Sequence, residues 1–318
     1  MKDKYRELCL IEPSIPIFSR DWWLDAVAGR DNWDVAIVEK GGQIRASMPY
    51  VARERYGLKE VTMPPLTQTL GPWLRQSDAK YVNRLSQQKD LMNALIDQLP
   101  NFGHFAQNWH YGVTNWAPFY WRGFQQTTRY TYVLRSLGDE EHLWGGFQEN
   151  IRGDIRKATN RFQLRIHDEC SIKDFIELNR FVFSRQGMEV PYSEALVHSI
   201  DQACVAHNAR KIFVAEDDRG ERHAGVYLIW DNKSAYYLMG GGNPDLRNSG
   251  ATSLCMWEAI KFAATVTERF DFEGSMIEPV ERFFRAFGAV QTPYFAIRKT
   301  PSILFQGYRC LRDWKRMR

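Results

Sequence analysis

Residues 239–253 read MGGGNPDLRNSGATS. Three glycines, a Pro-Asp turn and a further glycine stand between two strongly patterned segments. Upstream, KIFVAEDDRGERHAGVYLIWDNKSAYYLMGGG (211–242) reads as three strands joined by the turns DDRG and DNKS, an antiparallel meander. Downstream, the spacing of Met256, Ala259, Ile260, Ala263 and Ala264 predicts a helix opening at Gly250 with a buried face. RFDFEGSMIE (269–278) follows as a strand, in which period-two alternation sets Asp271 and Glu273 on one face and Phe270 and Phe272 on the other. A helix between two strands of one sheet favours a parallel, right-handed crossover, so the strands at 235–240 and 269–273 are expected side by side. A short helix carrying Val280, Phe283, Phe284 and Phe287, stopped by Gly288, leads to a last strand, PYFAIRK. The glycine turn has two readings. It is a flexible turn plus a helix cap, or its free N–H groups, with Arg247 and the hydroxyls of Thr252 and Ser253, hold a phosphate or other anion.

Working outward, the first half offers a helix at 19–28 (SRDWWLDAVA) and two strands joined at Gly41-Gly42. A third strand follows near 59–63, a helix over 77–99, and strands near 103–109 and 128–134. Met63 to Trp73, MPPLTQTLGPW, reads as irregular. In the second half, helices are expected at 150–161, 171–186 and 193–208. AIVEKGGQIRASMPY and FVAEDDRGERHAGVY echo one another as strand, glycine turn, strand. A chain of 318 residues suggests two domains. Their expected limits are 1–138 and 139–318, and the class is α+β, with mixed sheets flanked by helices.

Hydrophobic residues form 44% of the chain, enough to bury substantial cores. The net charge of +4 equals the excess of residues 301–318, where Arg309, Arg312, Lys315, Arg316 and Arg318 face only Asp313. The balanced remainder argues against a duplex-DNA-binding protein. Cys9, Cys170, Cys204, Cys255 and Cys310 are widely spaced and read as reduced thiols, with no metal-ligand spacing. The seven scattered histidines read as surface or packing residues. The start of the sequence lacks a signal-like apolar stretch and no long apolar run occurs, so the expected setting is the cytoplasm.

The order of meander, glycine loop, R-N-S-G-A-T entering a helix, strand, short helix and last strand resembles the GNAT acyltransferase fold. Arg247 and Gly250 match the spacing of that family's acyl-CoA pyrophosphate loop, whereas Thr252 stands where a further glycine is usual. A closer resemblance is to the Fem-like and BioF2-like branch, with two GNAT-like domains in tandem. NIRGDIRKATNRFQLRI and FDFEGSMIEPVERFFRAFGA carry it, over most of residues 142–299. The first half is similar only in its order of elements and looks like a degenerate copy that shapes the acceptor cleft.

This resemblance implies donor binding by Gly240, Gly241, Gly242, Arg247, Asn248, Gly250, Ala251 and Thr252. It also implies two parallel strands that splay apart, bordered by Asp271 and Glu273. Acyl transfer to an amine needs a base, for which a partly buried carboxylate of raised pKa serves; Glu273 comes first and Asp271 second. Pairing of one acid with Arg282 or Arg285 is the structural alternative. Tyr237 and Tyr294 are the proton donors considered for a leaving thiolate. Arg152, Arg156 and Lys157, on the helix at 150–161, are either a solvated face or a clamp for a phosphorylated acceptor. With them, Tyr237, Ser275 and Arg285 are assigned to substrate binding.

NWHYGVTNWAPFYWRGF (108–124) is either core or a stacking surface. The tail ILFQGYRCLRDWKRMR is either a docked helix or a peripheral contact with an anionic inner membrane face. The expected activity is N-acyl transfer from acetyl-CoA or another acyl-CoA, without a metal, to an amine of a cell-envelope precursor, an amino sugar or an amino acid. Aminoacyl-tRNA is the alternative donor, acting on a peptidoglycan precursor. A non-catalytic binding protein of the same fold is the reading from another class.

Overall fold

The computed structural model describes residues 1–55, 57–184, 189–274 and 276–316, without the side chains of 184 and 312–316. The first half of the chain runs α1 (Lys2–Ile11), α2 (Asp21–Ala28), β1 (Trp33–Lys40), β2 (Gln43–Arg55), β3 (Leu58–Thr62), β4 (Trp73–Leu74), α3 (Tyr81–Asp97), β5 (Phe102–Asn108), α4 (Ala117–Trp121) and β6 (Gln125–Leu134). There follow α5 (Glu140–Gly146), α6 (Glu149–Asn160), β7 (Arg165–His167), α7 (Ile172–Ser184), α8 (Glu194–Ala206), β8 (Arg210–Glu216), β9 (Arg222–Trp230) and β10 (Ser234–Gly242). The chain closes with α9 (Ala251–Val266), β11 (Arg269–Asp271), α10 (Glu278–Arg285), β12 (Val290–Lys299) and α11 (Ile303–Arg316).

Two compact units result, one of Met1–Arg129 with Pro293–Arg318, the other of Tyr130–Thr292. The segment from Pro293 onward therefore packs with the first unit, whereas the sequence reading groups it with the second half. The reason is long-range pairing: β12 joins β5 from Ala296↔Asn108 to Lys299↔Phe105, and Phe305 of α11 is fully buried against Gly103.

In the second unit β8, β9 and β10 form the expected antiparallel meander, and β11 runs parallel to β10. The right-handed crossover rule thus places the acid-bearing strand correctly. β6 supplies the next strand, antiparallel to β11. The core lies between this sheet and helices α6 and α9. α6 contributes Ile151, Ile155 and Ala158 at helical spacing, and α9 contributes Leu254, Cys255, Met256, Ala259, Ile260 and Ala263. Phe270 and Phe272 point into the same core. A Ser193 side chain caps α8 through Leu196 N–H, and Pro279 sits in the first turn of α10.

The first unit repeats this plan. β1, β2 and β3 are antiparallel, β5 is parallel to β3, and β12 is antiparallel to β5. The echo between the two glycine hairpins is therefore one of topology. Trp109, Phe119 and Phe124 of the aromatic stretch are core residues, while Tyr120 and Trp121 are exposed. α1 and α4 were not anticipated. α1 buries only Tyr5, Leu8 and Cys9 of its ten residues, too weak a pattern to read alone. α11 docks through Phe305, through Tyr308 beneath Arg55, and through Arg309 on His104; Ile303, Leu304 and Leu311 remain exposed. Among the described residues no helix is long and apolar enough to cross a membrane.

Candidate functional site

Three features of the second unit meet around the parallel pair β10 and β11. The first is the end of the ladder. Pairing runs Ser234↔Arg269, Ala235↔Phe270, Tyr236↔Asp271 and then stops, while β10 continues to Gly242 through an irregularity between Tyr237 and Met239. β11 leaves the strand conformation at once. Phe272 N–H turns to Tyr132 O (3.0 Å), and Glu273 adopts a left-handed conformation at φ 58°. The expected alternation therefore fails at Glu273: the strand ends at Asp271, and Glu273 belongs to a turn. Gly274 continues that turn at φ 59°, where a Cβ would overlap Tyr130 O. A non-glycine residue in the left-handed region costs of order 1–3 kcal/mol, so neighbouring contacts must hold Glu273 there.

The second feature is the carboxylate pair itself. Asp271 is buried, and its Oδ1 accepts hydrogen bonds from Thr131 Oγ1 and from Glu273 N–H (2.8 Å). Burial pushes the Asp271 carboxyl up to about 7, against the two hydrogen bonds that favour its charged form. Burial, and next the charge of Asp271, raise Glu273 well above the ordinary carboxylate range. Arg285 Nε donates to Glu281 (2.8 Å), and Asp271 is held by Thr131. Tyr237 is half-buried with its ring against Phe284, and its hydroxyl fills the place a Cβ would take at Gly240. Burial, then the Cys255, Tyr192 and Glu273 groups, push its ionisation to higher pH.

The third feature is the helix start. Gly250 is the N-cap of α9 at φ 81°, and a side chain there would run into the Asp154 carbonyl of α6. Glycine is thus required by packing as well as by backbone conformation. Gly250 offers no side-chain cap, and of the first-turn N–H groups that of Ala251 donates to Ser249 Oγ (3.4 Å), while the helix dipole favours an anion at this end. Ala251 is buried, Thr252 is exposed, and Arg247 and Asn248 are exposed in the turn before the helix. Arg247 makes no hydrogen bond or ion pair among the described residues, so its cation is available to a ligand. At Gly241 a side chain would strike the α7 backbone between Leu178 and Asn179, and Gly242 lies beside Thr252.

The remaining assignments fall elsewhere. Arg152 and Arg156 both donate to Glu149, and Lys157 to Asp154 (2.8 Å), so each of these cations already has a carboxylate partner within α6. That is the solvated-face arrangement. Tyr294 belongs to the first unit, where its hydroxyl accepts from Arg129 Nε (3.2 Å). Ser275 lies outside the described residues.

Two residues escaped the sequence reading. Thr131 reaches Asp271 across 140 positions, and nothing local marks it. Asn179 donates to Gly240 O (2.7 Å) and accepts from Tyr192 OH (2.9 Å), fixing the glycine turn to α7. A buried asparagine amid the apolar residues of α7 is the signal that would have found it.

This geometry agrees with what comparison with known proteins finds. Residues 145–284 match the acetyltransferase (GNAT) domain family. No curated protein matches the chain by sequence. Among solved structures, FemX is similar over 93% of this chain and 95% of its own, with a TM-score of 0.69 and 13% identity. L-PGS from Bacillus licheniformis follows with 96% and 94% covered, TM-score 0.54 and 12% identity. A tandem GNAT protein from the clavulanic acid biosynthesis pathway has 93% of each chain covered, TM-score 0.50 and 9% identity. At these identities the likeness is one of fold, and it extends to both units. The chain has the tandem GNAT, Fem-like fold, and residues 145–284 are similar to a GNAT acetyltransferase domain.

Proposed function

We propose that the chain is an N-acyltransferase that moves an acyl group from acyl-CoA to an amine of a cell-envelope precursor, an amino sugar or an amino acid in the cytoplasm. The observation that carries this reading is the end of the β10–β11 ladder. There the helix start at Gly250 and a buried carboxylate flank strands that stop pairing after Tyr236 and Asp271.

The roles follow from the chemistry. The first-turn N–H groups of α9 and Arg247 bind the donor's phosphates. The neutral amine attacks the thioester carbonyl, the C–S bond breaks, and Glu273 in its ionised form takes the amine proton. Asp271 is a positioning residue: it fixes the Glu273 turn through the Glu273 N–H and raises the carboxyl of Glu273 by its charge. Tyr237, whose ionisation burial opposes, keeps its proton and offers the leaving sulfur a hydrogen bond.

The alternative donor, aminoacyl-tRNA, is favoured by one feature, the exposed Thr252 where the acyl-CoA loop usually has a glycine. Titration with acetyl-CoA and with aminoacyl-tRNA, followed by melting temperature, separates the two, because only a bound donor stabilises the fold. A panel of amines with acetyl-CoA, followed by thiol release, then tests the reaction. Failure of every donor to stabilise the protein would overturn both readings in favour of a non-catalytic binder.

A further inference from the structure

On one face of the first unit's sheet lies a cavity of about 360 Å³, walled by β3, β5, β12 and α11. The register of β5 and β12 pairs Asn108 with Ala296 and Ala106 with Arg298. Alternation then turns these four side chains to one face, while Phe105 and Ile297 enter the core on the other. The two alanines form a low floor, and larger side chains there would fill the cavity. Arg298 rises from this floor with Nη2 donating to Thr127 Oγ1 (2.9 Å).

The opposite wall is Arg309, brought in by the docking of α11. Its Nη1 lies 2.6 Å from Nε2 of the buried His104, whose Nδ1 is 2.8 Å from Thr300 Oγ1. A guanidinium only donates, so Nε2 is the acceptor and the imidazole is neutral with its proton on Nδ1. His104 therefore adds no charge and serves to aim Arg309. Glu60 is the acid of the lining, and Arg55 stands 3.9 Å from it. Among the described lining residues two guanidiniums, those of Arg298 and Arg309, stand with Glu60 over an apolar floor and beside the amide of Asn108.

We propose that this cavity binds a small metabolite through its carboxylate or phosphate group, held by Arg298 and Arg309, with Asn108 and Glu60 contacting its polar remainder. Two guanidiniums match the planar, bidentate acceptor pattern of either anion. The volume is within the range of small-molecule sites. The inference is independent of the acyl-transfer reading, since every residue of the cavity belongs to the first unit.

The test uses the full chain carrying ¹³C-methyl alanine, titrated with acetate and with inorganic phosphate against chloride at equal ionic strength. Saturable shifts of the Ala106 and Ala296 methyls, with Ala259 and Ala263 unmoved, are expected for at least one anion. Acetate alone identifies a carboxylate ligand, phosphate alone a phosphoryl ligand. Arg298→Gln should weaken binding roughly tenfold or more, and Ala106→Val should abolish it by filling the floor. Unchanged Ala259 and Ala263 signals report that each variant is folded. The proposal is overturned if neither anion moves the two methyls, or if both variants titrate as the wild type does.

Discussion

The two units contain the same parallel strand pair and treat its end in opposite ways. In the first, β3 stops at Thr62 and the Pro-rich segment loops back beside β5: Leu70 N–H donates to Asn108 O (2.7 Å) and His110 N–H to Leu70 O (3.2 Å). The ring of Trp109 then packs where Gly71 leaves no Cβ. The position beyond β3 is stitched shut by backbone hydrogen bonds. Among the described residues of the second unit no such segment returns. β10 runs on into the glycine turn, and β11 gives way to a left-handed turn carrying Glu273. One topology thus yields a closed copy and a copy in which a helix start and two carboxylates gather at the end of the ladder. Irregular backbone, not strand order, separates them.

Breaking the second arrangement at its proposed base should have the largest effect. Glu273→Gln is expected to lower turnover by about 10²–10⁴-fold, the usual worth of a positioned base, while donor affinity in an equilibrium titration stays near that of the wild type. Turnover at the wild-type level would remove Glu273 from the chemistry. Gly250→Ala comes next. It demands a left-handed alanine and overlap with the Asp154 carbonyl, so a loss of at least about 2 kcal/mol is expected in denaturant melts. Gly41→Ala, left-handed at φ 62° but in open space, is the comparison and should cost about 1 kcal/mol. Equal losses would show that the α6–α9 contact does not constrain the helix start.

Asp271→Asn probes the buried pair through pH. The folded carboxyl keeps its proton up to about 7, whereas an unfolded aspartate releases it near 4. Between those values the native state binds more protons, so this group makes stability fall as pH rises, by at most about 1.4 kcal/mol per pH unit. The asparagine variant should show a flatter profile across that window; an unchanged slope would mean that Asp271 ionises normally. Thr131→Val removes one hydrogen bond that favours the charged Asp271. The acidic limb of the rate profile, which reports the Asp271–Glu273 pair jointly, should move upward by about one pH unit. The smallest effect is expected at Arg156, an exposed partner of an exposed Glu149. Arg156→Ala should leave the melting curve unchanged, and a large rise in acceptor KM would restore the clamp reading of α6.

Much of this arrangement was legible in the residues. The meander, the helix after Gly250, the parallel placement of the acid strand and the buried Phe270 and Phe272 all follow from periodicity and crossover handedness, which are local or nearly local rules. Arg247 and Gly250 were marked by their position before a helix. Thr131 was not, nor was the conversion of Glu273 from a strand residue into a turn residue. That turn is imposed by Tyr130 and Tyr132, far away in the chain.

The sequence by itself determined the meander, the buried face of the helix after Gly250, and that a glycine turn feeds that helix start. Tertiary structure alone decided that the segment from Pro293 packs with the first unit, that Thr131 and Asp271 meet, and that Arg309 is aimed by His104. The division has a physical cause. Secondary structure answers to side-chain period and backbone sterics within a few residues, whereas ionisation and site geometry answer to burial and to partners that only the folded chain brings within a few ångströms.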